Sequence, residues 1–188
     1  MGEGVKILQD ASEIAALADL ARAEGVASYL EIGSKFGGSL KAIAEALPTG
    51  SRIVSVDLPA EGKAAASRTS LLAVIAGLQA SGYDARGIWG DSTAPEIVAQ
   101  VAALGPFDLV LIDANHTLPF VTRDWINYGA MGRMVAFHDI SWRRAPEWQG
   151  ERIDVPEFWR AISPAYRHVE FRMCPTGKNN GIGVLWRS

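Results

Sequence analysis

The chain has 188 residues, 48% of them hydrophobic and 21% charged, with a formal net charge of -3. This is ordinary globular usage on a length that supports one domain with a sizeable core, so disorder is not expected for most of the chain. Mild acidity without clustered basic charge argues against nucleic acid, the single Cys174 rules out an internal disulfide or zinc framework, and no apolar run approaches the roughly 20 residues that span a bilayer.

The N-terminal residues lack a basic segment followed by a long apolar stretch, and Lys6 stands where a myristoylation signal needs Ser or Thr. A cytoplasmic location is the expectation. Asp10 and Glu13 have capping-box spacing, and Ile14, Leu17, Ala18 and Ala21 share one face of an N-terminal helix, within residues 1–25, that Gly25 ends. Residues 26–32 read as a first strand. Residues 39–47 read as a helix, stopped by Pro48 and Gly50. A second strand, 52–58, carries Asp57 at its end. A helix over 64–80 ends at Gly82, and a weak third strand, 85–90, leads into Asp91. Residues 94–104 are helical in pattern and broken by Gly105-Pro106. Residues 107–112 form the strongest strand, apolar on both faces, and run into Asp113.

A helix over 119–128 has Thr117 as its cap, and a fifth strand, 133–137, runs into His138-Asp139. Residues 141–153 are polar and irregular, with Trp142 and Trp148 placed either as a lid over an acceptor or as pins to the core. Trp125 and Trp159 fall on helical patterns and read as core. Arg143-Arg144 suits an acidic acceptor or simply solvent. Asp154 and Glu157 repeat the capping-box spacing, with Pro156 in the first turn of a short helix. Two closing strands, near 168–173 and 182–186, flank a loop carrying Gly177 and form an antiparallel hairpin. The pattern predicts an α/β fold in a single domain over 1–188. Its core is a doubly wound, Rossmann-like, seven-stranded and mostly parallel sheet, with helices on both faces and a C-terminal antiparallel hairpin.

In such a sheet, ligands bind at the carboxyl ends of the strands, near the switch in strand order. Acids recur there: Asp57, Asp91, Asp113 and Asp139, with Glu31 inside the first strand. Gly33, Gly37 and Gly38 occupy the first strand-to-helix turn, where glycine allows a tight turn or the close approach of a ligand. Their order is E-x-G-x-x-x-G, not the dinucleotide G-x-G-x-x-G, which disfavours a nicotinamide-dependent oxidoreductase. Asp57 suits a ribose diol, or serves as a cap or surface acid. Asp91-Ser92 suits an adenine amino group, or caps the helix after Pro95. Asp113 and Asp139, on neighbouring strands about 4.8 Å apart, suit one hard cation. His116 suits a general base or a loop-orienting role. His138 reads as a ligand or a core histidine. For His138 and Asp139 to face one site, the strand must end or bulge between them.

These residues resemble the class I S-adenosylmethionine-dependent methyltransferases. Leu30-Glu31-Ile32-Gly33-Ser34 through Gly37-Gly38-Ser39 is similar to motif I, and "FDLVLIDANH" at 107–116 is similar to one branch of the family. That branch includes the macrolide-sugar O-methyltransferases and the cephalosporin-hydroxylase-like proteins. "VAFHDI" at 135–140, "VPEFW" at 155–159 and "GIGVL" at 181–185 also look like it. The resemblance implies an S-adenosylmethionine site at Glu31, Gly33, Ser34, Gly37, Ser39, Asp57, Leu58, Asp91, Ser92 and Asp113. It implies His116 and Asp113 as catalytic residues, and Asp113, Asp139 and His138 around a magnesium ion (Mg2+). His138 stands where the macrolide-sugar members carry an acid, which weakens an all-oxygen magnesium site. The expected function is O-methylation of a small hydroxylated metabolite or sugar. The expected partner is a small molecule rather than nucleic acid or membrane, and a homodimer stays open. The alternative is a non-catalytic S-adenosylmethionine-binding or partner-binding module.

Overall fold

Asp10 opens the first helix by accepting a hydrogen bond from Ser12 N at 2.9 Å, and helix α1 runs over Ala11–Ala23. The computed structural model describes residues 5–59, 65–141, 147–148, 151–172 and 180–187. In α1 the predicted residues Ile14, Leu17, Ala18 and Ala21 are buried. Gly25, at φ +65°, turns the chain out of it. Glu13 is also buried, and its carboxylate accepts from Gly181 N at 3.1 Å, which ties α1 to the far end of the chain.

Alternation follows as expected: β1 (Ser28–Ile32), α2 (Gly38–Ala44), β2 (Arg52–Asp57), α3 (Ala65–Ala80), β3 (Asp84–Trp89), α4 (Pro95–Ala102), β4 (Phe107–Ile112), α5 (Leu118–Tyr128) and β5 (Gly132–His138). Helix α2 is shorter than its apolar pattern. Beyond Ala44 the backbone tightens into three-residue bonds, Ala46 N to Ile43 O and Leu47 N to Ala44 O, before Pro48. The chain closes with α6 (Val155–Ile162), β8 (Arg167–Phe171) and β9 (Ile182–Trp186). Within the stretch expected to be irregular, β6 (Glu147–Trp148) and β7 (Glu151–Arg152) pair as a short antiparallel ribbon. Trp142, Arg143, Arg144, Cys174, Gly177 and the side chain of Trp148 lie outside the described residues.

Seven strands form one sheet in the order β3-β2-β1-β4-β5-β9-β8. The first five are parallel, and β9 inserts antiparallel between β5 and β8. Period-two alternation sends the strand side chains to two cores. Tyr29, Ile53, Leu109, Leu111 and Met134 pack beneath α1, α2 and α3. Leu30, Val54, Val110, Val135 and Phe137 pack against α4, α5 and α6. The strand order reverses between β1 and β4, so a crevice opens beyond their carboxyl ends.

Two expected caps work differently. Thr117 precedes α5, but its hydroxyl donates to Asn115 Oδ1 at 2.8 Å and does not cap the helix. Asp154 precedes α6 without a side-chain cap bond of its own. Its carboxylate instead accepts from Leu118 N at 3.0 Å, joining the start of α6 to the start of α5. Among the described residues, no helix is long and apolar enough to cross a membrane.

Gly183 in β9 lies under the indole of Trp159, which is 1% exposed; a Cβ at Gly183 would come within 2.5 Å of that ring. Gly183→Ala is expected to destabilise the fold by about 1–3 kcal/mol through overpacking. Urea denaturation checks this, and an unchanged midpoint would mean that the ring can retreat.

Candidate active site

Gly33 leaves β1 at φ +93°, and its N–H bonds to Val56 O at 2.8 Å. A Cβ here would lie 2.4 Å from Asp113 O and 2.6 Å from Ala114 Cα. The glycine is therefore required by the exit of β4, whose backbone passes against it. This close approach brings the ends of β1, β2, β4 and β5 around one cleft of about 910 Å³.

Of the residues picked from sequence, Gly33, Asp57, Leu58, Asp91, Ser92, Asp113, His116, His138 and Asp139 line this cleft. Asp57 Oδ1 accepts from Leu58 N at 2.7 Å, and Oδ2 accepts from Lys35 N. Burial raises the Asp57 carboxyl above its ordinary value, and these backbone donors offset part of the rise. Asp91 Oδ1 accepts from the backbone N–H and hydroxyl of Thr93, both at 2.8 Å.

Glu31, Ser34, Gly37 and Ser39 do not line the cleft. Glu31 shares the β1 face of Tyr29, so it points into the core toward α2. There it accepts from Tyr29 Oη at 2.5 Å and Ser39 Oγ at 2.7 Å. Burial lifts its carboxyl to about 7, while these two donors hold it back. Ser34 Oγ accepts from Ser55 Oγ at 2.7 Å, so it too faces inward. Gly37, at φ +81°, starts α2 beside Leu71 and Val74 of α3.

At the β4 and β5 ends the ionisable groups converge. His138 is the last residue of β5, and Asp139 takes a left-handed backbone at φ +65°. The strand thus ends between them, as a shared site requires. His138 Nδ1 lies 3.1 Å from Asp113 Oδ1 and 3.3 Å from Asp139 Oδ1. His116 Nδ1 lies 2.9 Å from Asp139 Oδ2. Burial opposes a charge on each ring, but the two carboxylates outweigh it and hold both histidines above their ordinary value, His138 well above. Burial likewise opposes charge on Asp139, and the neighbouring imidazoles pull its carboxyl down.

Asp113, His116 and Asp139 each offer an atom within 4.8 Å of the others, close enough to share one divalent ion. Among the described residues, Asp139 Oδ1 and His138 Nε2 are buried without a hydrogen-bond partner, so ligand capacity remains. The set fits a cation, with nitrogen donors beside the two carboxylates.

Gln9, Phe120 and Asp124 are among the participants that the sequence pattern does not single out. Gln9 Nε2 donates to Asp113 Oδ2 at 2.5 Å from the segment preceding α1. No periodicity marks such a segment. Phe120, at the start of α5, adds exposed apolar surface to the cleft. Asp124, 0% exposed, accepts from Ser92 Oγ at 2.8 Å from behind the cleft wall. It had a readable signal, because it shares the buried face of α5 with Val121 and Tyr128.

Burial lifts the Asp124 carboxyl from 3.8 to about 6, against the pull of the Ser92 bond and with a push from Asp91. Between those values the folded chain holds a proton that the unfolded chain has lost, so stability falls as pH rises through the window. Asp124→Asn removes that loss. It is expected to stabilise the fold by roughly 1–3 kcal/mol at pH 7, with the gain fading toward pH 4. Urea denaturation at both pH values checks this, and a gain independent of pH would contradict it.

Residues 30–140 match a family described as a methyltransferase domain. No curated protein sequence matches the chain. Among solved structures, the O-methyltransferase TomG of Streptomyces achromogenes, involved in tomaymycin synthesis and solved with SAM, is 18% identical with a TM-score of 0.72. That alignment covers 98% of this chain and 82% of TomG. An O-methyltransferase from Bacillus cereus solved with SAH is 17% identical at TM-score 0.71, over 98% of this chain and 84% of that one. SAH-bound PaMTH1 of Podospora anserina is 19% identical at TM-score 0.64, over 96% and 80%. At these identities the likeness speaks to the fold, and the fold is the one assembled above. The family match spans more than half of the chain, from β1 through β5 and the glycine turn to the Asp113 and Asp139 cluster, and on that ground the chain belongs to the methyltransferase-domain family.

Proposed function

We propose that the chain is an S-adenosylmethionine-dependent O-methyltransferase acting on a small hydroxylated molecule. The observation that carries this reading is one cleft of about 910 Å³ with two chemically different ends. Asp57, Asp91 and Ser92 offer hydrogen-bond acceptors at one end. Asp113, His116 and Asp139 gather two acids and an imidazole at the other. The volume suits a nucleoside-sized cofactor with a small acceptor beside it.

In this reading Asp57 takes the ribose diol and Asp91-Ser92 the adenine, while Gly33 passes the amino-acid end of the cofactor. Glu31, Ser34 and Ser39 act one step back, holding the turn between β1 and α2 in shape. When bound, S-adenosylmethionine would supply its sulfonium methyl to the acceptor oxygen, the O–C bond forming as the S–C bond breaks, with the electron pair going to sulfur and S-adenosylhomocysteine as the leaving group. Transfer joins two bound molecules, so holding them aligned supplies much of the rate.

His116 takes the hydroxyl proton. Its Nδ1 is committed to Asp139, which leaves Nε2 for that task. Asp113 and Asp139 would hold a divalent ion, with an imidazole nitrogen as neighbour; when bound, such an ion lowers the pKa of the acceptor hydroxyl. The nitrogen donors suit manganese or another transition ion at least as well as magnesium. The exposed rings and chains of Phe120, Leu58 and Leu8 border the cleft and favour an acceptor with apolar surface beside its hydroxyl.

A second reading, a cofactor-binding module without transfer, draws on Gln9, whose amide already occupies Asp113 Oδ2. Two measurements separate them. Calorimetric titration with S-adenosylhomocysteine is expected to give micromolar affinity that falls about 100-fold or more in Asp57→Ala, the equivalent of two lost hydrogen bonds to a carboxylate. No binding by the wild type would remove the cofactor reading. His116→Ala is expected to lower turnover of a free-hydroxyl acceptor by about 100-fold or more while leaving S-adenosylhomocysteine affinity within about twofold. Turnover equal to that of the wild type would remove His116 as the base.

A further inference from the structure

Ser92 is held from two directions by α5. Its hydroxyl donates to Asp124 Oδ1 at 2.8 Å, and its carbonyl accepts from Tyr128 Oη at 2.6 Å. Asp124 Oδ2 is buried and has no hydrogen-bond partner among the described residues. A buried acid with one oxygen unmatched is a destabilising choice on a helix face. Asparagine has nearly the same shape and would avoid the burial of charge.

The difference between the two lies in the proton. An ionised carboxylate only accepts, so it fixes the single proton of Ser92 inward. The lone pairs of Oγ are then what Ser92 offers to anything in the cleft it borders. An asparagine could instead donate to Oγ and release the hydroxyl to donate outward. Asp91 next door is an acceptor as well, with Thr93 on its Oδ1. At this end of the cleft both side chains therefore present acceptors.

We infer that Asp124 is a positioning residue that fixes Ser92 as a hydrogen-bond acceptor, making this end of the cleft selective for a purine that carries an exocyclic amine over one that carries a carbonyl. The inference rests on the cofactor reading above and adds a residue that never touches the ligand. An amine donates to the Ser92 oxygen. A carbonyl at the same place sets lone pair against lone pair, and the mismatch is felt because the partner group is pinned.

The test is calorimetry at pH 8, where Asp124 is ionised, with S-adenosylhomocysteine and S-inosylhomocysteine, which differ by that amine-to-carbonyl exchange. The wild type is expected to favour the adenosyl compound by about tenfold or more, one mispaired hydrogen bond. Asp124→Asn is expected to shrink or invert that ratio while remaining folded, and Ser92→Ala to collapse it by weakening the adenosyl compound. A purely structural Asp124 would weaken both compounds equally and leave the ratio intact, which would overturn the inference. A wild-type ratio near one would also overturn it, with the cofactor reading untouched. Failure of the wild type to bind either compound would overturn both.

Discussion

The organising constraint of this molecule is the contact between Gly33 and the backbone of Asp113 and Ala114. Parallel strands β1 and β4 lie side by side where the strand order reverses, and their exits pass so closely that a Cβ at Gly33 would stand 2.4 Å from Asp113 O. Asp113 N bonds to Ile32 O at 2.9 Å and Gly33 N to Val56 O at 2.8 Å, so three strand ends are laced together by main chain alone. The position of Asp113 is thereby set by sheet geometry. The loops that follow supply His116 on one side and Lys35 on the other, and the cleft is the space between them.

Electrostatics completes what the backbone begins. Asp113 and Asp139 would repel each other at the ends of adjacent strands if nothing stood between them. His138 bridges them through Nδ1, and His116 meets Asp139 from the other side. Burial raises the penalty for any unmatched charge in this group, and so it tightens the mutual dependence of the four side chains. A cation arriving here would compete with His138 for the same carboxylate oxygens. The cluster can therefore be balanced by an imidazolium or by a metal ion.

Much of this was legible in the sequence, for identifiable reasons. Strands alternating with helices marked a mostly parallel sheet, and the apolar composition of β4 alone marked that strand as buried on both faces. The acids Asp57, Asp91, Asp113 and Asp139 stood out because strands seldom end so regularly in carboxylates. Glu31 was harder to place. Its side of the strand follows from parity with Tyr29, but its bonding to Ser39 depends on how α2 packs, which no local pattern encodes. Thr117 and Asp154 had the right chemistry for caps, yet their side chains bond Asn115 and Leu118 instead. Gln9 reaches Asp113 across 104 residues of sequence, a pairing only tertiary structure can show.

The left-handed backbone of Asp139 narrows what evolution can put there. At φ +65° glycine, asparagine and aspartate sit most comfortably, whereas holding the His116 and His138 imidazoles above their ordinary value calls for a carboxylate. Glutamate keeps the charge but lacks the conformational tolerance, and asparagine keeps the conformation but loses the charge. The two demands intersect at one amino acid. Sequence drift at this position is thus governed by the shape of the main chain as strictly as by the chemistry of the side chain, and a substitution ranked as conservative by charge would be the disruptive one.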